Sequence, residues 1–149
     1  MGDVVLIADD DADIVRFVAL NLRLEGFDAV AVHDGREALA KALDLQPSLI
    51  LLDTMMPGMD GYEVCTRLRG DGRGSRIPVI MLTAKSLATD RALAFTAGAD
   101  DWVTKPFDPA ELVSRVKRRL RMGRARRLLD TGLRGSAARV PSDVPSEAP

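Results

Sequence analysis

Val4-Val5-Leu6-Ile7-Ala8-Asp9-Asp10-Asp11 is an apolar run, rich in β-branched side chains, that stops on three consecutive carboxylates. An apolar run with no polar alternation reads as a strand buried on both faces, as in a parallel sheet. Ile14, Val15, Val18 and Leu22 then recur at helical spacing over residues 12–24, and Gly26 supplies a C-terminal stop. A second strand is predicted at 28–32 and a second helix at 35–45, carried by Ala38, Leu39, Ala42 and Leu43. Further strands follow at 48–52, 78–82 and 101–104, and further helices at 61–69, 88–97 and 109–121. Loops at 54–59 and 70–76 flank the third helix. Gly98 ends the fourth helix, and Pro109 falls in the first turn of the fifth.

Five strand–helix units with short connections predict an α/β domain: a doubly wound, five-stranded parallel sheet in a three-layer sandwich. Strand order is left open by the sequence. The ten elements occupy residues 1–122, which is room for one core. Residues 123–149 change character. Arg124, Arg126 and Arg127 with Leu128 and Leu129 predict a basic extension that adds a turn or two to the last helix. Residues 135–149 are Ala/Ser/Pro-rich, with Pro141, Pro145 and Pro149, and are expected to be a disordered tail.

Composition narrows the class. With 46% hydrophobic and 29% charged residues the chain is not wholly disordered. No apolar run approaches the ~18 residues of a membrane helix. Residues 1–13 lack a basic stretch followed by an apolar core, which argues against a secretory signal and for a cytoplasmic location. A single cysteine, Cys65, excludes an internal disulfide. The net charge of -1 hides a split: residues 1–110 carry 11 basic and 18 acidic residues, residues 111–149 carry 10 and 4. Such an asymmetry points to different partners for the two ends.

Ligands of open α/β sheets bind outside the carboxyl ends of the strands. Those ends carry Asp9 and Asp10 after the first strand, Asp53 after the third, Thr83 after the fourth and Lys105 after the fifth. Carboxylates gathered at one edge repel unless a cation compensates them, and hard oxygen ligands suit Mg2+ shared with a phosphate. A carboxylate also serves as a nucleophile that forms an acyl phosphate, while an ammonium and a hydroxyl steady the phosphoryl oxygens. Asp53 is the best nucleophile candidate, because the pair Asp9-Asp10 is left to hold the metal.

These residues stand in four segments: Leu6-Ile7-Ala8-Asp9-Asp10-Asp11, Leu51 to Gly61 with Asp53-Thr54-Met55-Met56-Pro57-Gly58, Met81-Leu82-Thr83-Ala84, and Gly98 to Phe107 with Lys105-Pro106. Together they resemble the CheY-like receiver domain of two-component response regulators over about residues 3–122, closest in spelling to OmpR/PhoB-type receivers. The resemblance implies a flavodoxin-like (βα)5 fold and a phosphorylation-dependent switch. It implies that Asp53 takes a phosphoryl group from a sensor histidine kinase or histidine phosphotransfer protein. Mg2+ would be held by Asp9, Asp10, Asp53 and the backbone carbonyl of Met55. Lys105, next to a cis Lys105-Pro106 bond, would pair with the phosphoryl group, and Thr83 would swing towards it. Trp102 stands where the family more often has Tyr or Phe, the aromatic partner of that swing. Met55 and Lys85 occupy positions that tune hydrolysis. The resemblance also implies a homodimer face in which Arg91 pairs with Glu111 and Asp101 with Arg115.

Plainer readings stand beside these. Asp11 suits a helix cap. Met55, Met56 and Met59 read as packing, Cys65 as a small core residue and His33 as a surface residue. The Arg-rich extension reads as a solvated face or as a charge-driven contact with an acidic partner; direct nucleic-acid binding is not expected, since residues 124–149 are too few for a winged helix. The expectation is a stand-alone switch that acts on no external substrate. The alternatives are a receiver fragment of a longer DNA-binding or cyclase regulator, and an aspartate-nucleophile phosphohydrolase. The last commonly needs a second aspartate two residues after the nucleophile, where this chain has Met55.

Overall fold

Strands β1 (Val4–Ala8), β2 (Asp28–Val32), β3 (Leu49–Asp53), β4 (Val79–Thr83) and β5 (Asp101–Thr104) form one parallel sheet in the order β2-β1-β3-β4-β5. The computed structural model of the chain describes residues 2–84 and 88–135. Lys85 and the expected tail from residue 136 onward lie outside the described residues. The helices are α1 (Ala12–Leu24), α2 (Gly35–Leu45), α3 (Gly61–Arg69), α4 (Ala88–Thr96) and α5 (Pro109–Gly135).

Alternation along the strands divides the core into two layers. Val5, Ile7, Leu49, Leu51, Ile80, Leu82 and Val103 pack against Val15, Val18 and Leu22 of α1 and Leu112, Val116 and Leu120 of α5. Leu6, Ala8, Ile50, Leu52, Val79, Met81 and Trp102 pack against α2, α3 and α4 through residues such as Ala38, Cys65, Leu68 and Ala94. The fully buried β3 and β4 explain why their sequences are unbroken apolar runs. Edge strand β2 is only half covered, and its sequence is correspondingly mixed.

The strand order opens a crevice. β1 sits between β2 and β3, so the chain leaves β1 for one face of the sheet and β3 for the other. This switch point is where doubly wound sheets bind ligands.

Several boundaries differ from the sequence reading: β3 and β4 each begin one residue later, at Leu49 and Val79, and α4 ends one residue earlier, at Thr96. β3 and β4 each run one residue further, through Asp53 and Thr83, because Asp53 keeps ladder register with Leu82 and the Thr54 N–H still reaches the Leu82 carbonyl at 3.1 Å. Helix α5 does not stop a turn or two past Arg121 but continues to Gly135. Ala, Leu and Arg are strong helix formers, so Gly123 is carried within the helix. Among the described residues, no helix is long and apolar enough to cross a membrane.

Candidate functional site

The crevice is built from strand ends. Asp9 follows β1 and is fully buried; its Oδ1 accepts the Asp11 N–H at 3.0 Å, and its Oδ2 accepts from Lys105 Nζ at 2.7 Å. Asp11 Oδ1 in turn accepts from the N–H groups of Asp13 and Ile14, so the third aspartate caps α1, as its position predicts. Asp10 is exposed. Asp53 ends β3 almost buried, and the chain turns back behind it so that the Met55 N–H meets Asp53 Oδ1 at 3.3 Å. Lys105 Nζ stands 3.4 Å from the same oxygen. One ammonium thus bridges two carboxylates from neighbouring strands, beside a cis Lys105-Pro106 bond.

Carboxylate oxygens of Asp9, Asp10 and Asp53 come within 4.8 Å of one another, close enough for one cation to bridge all three. The donors are all hard oxygens, the set that suits Mg2+. Electrostatics agrees with a site short of positive charge. Burial, and then the Asp9 carboxylate, push the Asp53 carboxyl up to about 6 although Lys105 and the Met55 N–H act the other way. Lys105 loses hydration on burial, yet its bonds to Asp9 and Asp53 hold its pKa above the ordinary value. The Met55 side chain is exposed at the mouth.

Thr83 ends β4 fully buried, one strand over from Asp53. Trp102 on β5 is buried too; its indole N–H donates to Thr104 Oγ1 at 3.0 Å, and the Arg91 guanidinium lies 5.7 Å from the ring centre. Arg91 is therefore placed over an aromatic face. Arg115 forms ion pairs within its own chain, with Asp101 at 2.8 Å and Glu111 at 3.2 Å. Asp101 and Arg115 are brought together in a single protomer. Cys65 lies in the core, its thiol pushed up to about 11 by burial, and His33 is exposed.

Two residues escaped the sequence reading. The Thr54 hydroxyl donates to Thr83 Oγ1 at 3.1 Å, and Tyr62, next after the Gly61 that bonds the Thr54 carbonyl, packs against the same core layer with a buried hydroxyl. Thr54 was visible only as a loop residue; the ladder register that sets it opposite Thr83 depends on pairing strands far apart in sequence.

A family model described as the response regulator receiver domain matches residues 5–117. The DNA-binding response regulator MtrA of Mycolicibacterium paratuberculosis is 48% identical over 117 residues, covering 78% of this chain and 51% of that protein. The chain spans about half the length of the curated relatives it matches. A Francisella response regulator receiver domain superposes with a TM-score of 0.77 at 33% identity, covering 81% of this chain and 98% of that one. The receiver domain of a sensor histidine kinase from Pseudomonas aeruginosa PAO1 superposes with a TM-score of 0.75 at 32% identity, covering 80% and 98%. That structure holds a magnesium ion coordinated in its active-site cleft.

Proposed function

The chain belongs to the response regulator receiver family of two-component systems, and from that premise we propose that Asp53 is its phosphoacceptor. The observation that carries this reading is the bridge of Lys105 between Asp9 and Asp53 within a three-carboxylate cluster. Both oxygens of Asp9 are engaged, by Lys105 and the Asp11 N–H. The bonds to Asp53 fall on Oδ1, which makes Oδ2 the attacking oxygen. It forms a bond to the phosphorus of a phosphohistidine on a sensor kinase or phosphotransfer protein, the N–P bond breaks, and the imidazole leaves.

Asp9, Asp10 and Asp53, joined by the Met55 carbonyl that the family resemblance implies, would hold Mg2+, an ion the Pseudomonas neighbour holds in its own active-site cleft. When bound, the ion supplies positive charge to the carboxylates and to the phosphoryl oxygens. Lys105 pairs with one phosphoryl oxygen, and Thr83 donates its hydroxyl to another. That relocation of Thr83, with Trp102 as its aromatic neighbour, is the signal passed to α4, β5 and α5. Arg91, Asp101, Glu111 and Arg115 on this surface are proposed as a dimer face, formed when their ion pairs exchange between two copies. Regulation rather than turnover of an outside substrate fits the relatives, which are regulators. DNA contact by residues 2–135 is not part of the proposal.

Incubation with acetyl phosphate and Mg2+, read by intact mass, tests the central step. One phosphoryl adduct is expected in the wild type and none in Asp53→Asn; no adduct in the wild type overturns the assignment, and sustained phosphate release points to a hydrolase instead. For the dimer face, beryllofluoride with Mg2+ is expected to shift the chain to a dimer in light scattering, and an unchanged monomer rejects it.

A further inference from the structure

Asp53 pairs with Leu82, so Thr54 and Thr83 stand opposite one another at the open ends of β3 and β4. Their hydroxyls meet at 3.1 Å with Thr54 donating, and the residues are 1% and 0% exposed. Strand alternation puts this pair in the layer of α2, α3 and α4. Ile50 and Leu52 lead to Thr54 by two-residue steps, and Val79 and Met81 lead to Thr83. Asp53 and Asp9 follow the opposite parity, after Leu51 and Ile7 of the other layer. The Thr83 hydroxyl is therefore tied on the side of the sheet end away from the carboxylates.

Thr54 is a firm anchor for that tie. Its N–H donates to the Leu82 carbonyl at 3.1 Å, and its own carbonyl accepts the Gly61 N–H at 3.0 Å. Beside it is Tyr62, whose buried hydroxyl has no hydrogen-bond partner among the described residues. Gly61, the residue before Tyr62, is bonded to the Thr54 carbonyl, so the first turn of α3 sets Tyr62 against Thr54; burial and the Asp90 carboxylate push the phenol up, and the Thr54 hydroxyl acts the other way. A threonine hydroxyl has one proton to give. In this arrangement it is directed to Thr83 at 3.1 Å, and the Tyr62 phenol oxygen is the competing acceptor for it.

We infer that Thr54 is a positioning residue that sets the Thr83 switch: its proton holds Thr83 in the resting place, and passes to the Tyr62 oxygen when Thr83 turns to a phosphoryl group on Asp53. Each arrangement then leaves Thr54 with a bonded partner, which gives two discrete states rather than a continuum. This rests on the reading of Asp53 as phosphoacceptor.

The Thr83 amide in 15N–1H spectra, compared between the metal-free chain and the chain saturated with Mg2+ and beryllofluoride, reads the two populations. In metal-free Thr54→Val the resonance is expected to move towards the saturated position, the equilibrium displaced about fivefold, the order set by one buried neutral hydrogen bond. Thr54→Ser restores the wild-type position. Tyr62→Phe, which alters no strand residue, is expected to move the equilibrium the other way and to do nothing further in a Thr54→Val background. A Thr54→Val resonance that stays put, a Thr54→Ser that behaves like valine, or a Tyr62→Phe effect that persists without the Thr54 hydroxyl each overturns the inference. A wild type indifferent to Mg2+ and beryllofluoride overturns the phosphoacceptor reading and this inference with it, whereas a responsive wild type with an unmoved Thr54→Val overturns the inference alone.

Discussion

At Asp53 burial and the Asp9 carboxylate raise the carboxyl pKa from its ordinary 3.8 to about 6, so between those values the folded chain holds a proton that the unfolded chain has released. Stability therefore falls as pH rises through that window, and the full cost is present above it. Asp53→Asn removes the cost. In EDTA, urea unfolding is expected to show the variant more stable than wild type by about 2–3 kcal/mol at pH 7.5, with the gap closing towards pH 4. Mg2+ narrows the gap by stabilising the wild type. A gap independent of pH would remove Asp53 as the strained carboxyl. The residue is thus held in a form that favours receiving charge compensation, at some expense to the fold.

Between elements, the constraint that bears on the site is where α3 starts against the end of β3. A Cβ placed on Gly61 would lie 2.2 Å from the Asp53 carbonyl oxygen and 2.9 Å from Thr54 Cα, both backbone atoms with no freedom to retreat. Gly61→Ala is expected to cost about 2 kcal/mol or more by denaturant midpoint and to slow phosphorylation by acetyl phosphate, since relief must displace the peptide of Asp53, the proposed phosphoacceptor. Equal rates in the two proteins would show that the site tolerates that displacement. At the other end of α3, Arg69 donates to the carbonyls of Gly98 at 2.9 Å and Ile77 at 2.7 Å and to Asp100 Oδ2 at 3.0 Å, tying the approaches to β4 and β5 together. Much of this level was legible in the sequence. Apolar runs ending in Asp9, Asp53 and Thr83 place the strands and the candidate site because buried parallel strands leave little choice of residue. The order of strands was not, because β1 pairs with β3 across two intervening helices and a strand. Nor was the Thr54–Thr83 bond, which follows from the β3–β4 register, or the Trp102–Thr104 bond, which depends on a side-chain rotamer.

For the molecule as a whole, the two packed layers end before α5 does. Among the described residues Leu120 is the last of that helix in the core, and beyond it Met122, Leu128 and Leu129 are exposed. The ion pair of Arg124 with Asp3, itself partly exposed, fastens the helix near the start of β1. Ending the chain after Met122 is expected to change unfolding free energy by no more than about 1 kcal/mol, the worth of a surface ion pair. A larger loss in urea titration would mean that residues 123–149 belong to the core unit. What the overhang does offer is leverage. From Leu120 to Gly135 the helix runs on for roughly 22 Å at about 1.5 Å per residue. Because a helix is stiff, a tilt of roughly 10° where α5 leaves the sheet would carry its far end through about 4 Å. A shift at the base too small to disturb the packing of Leu112 and Val116 thus becomes a displacement as large as a side chain, and the last helix works as a pointer whose tip magnifies what happens at its pivot.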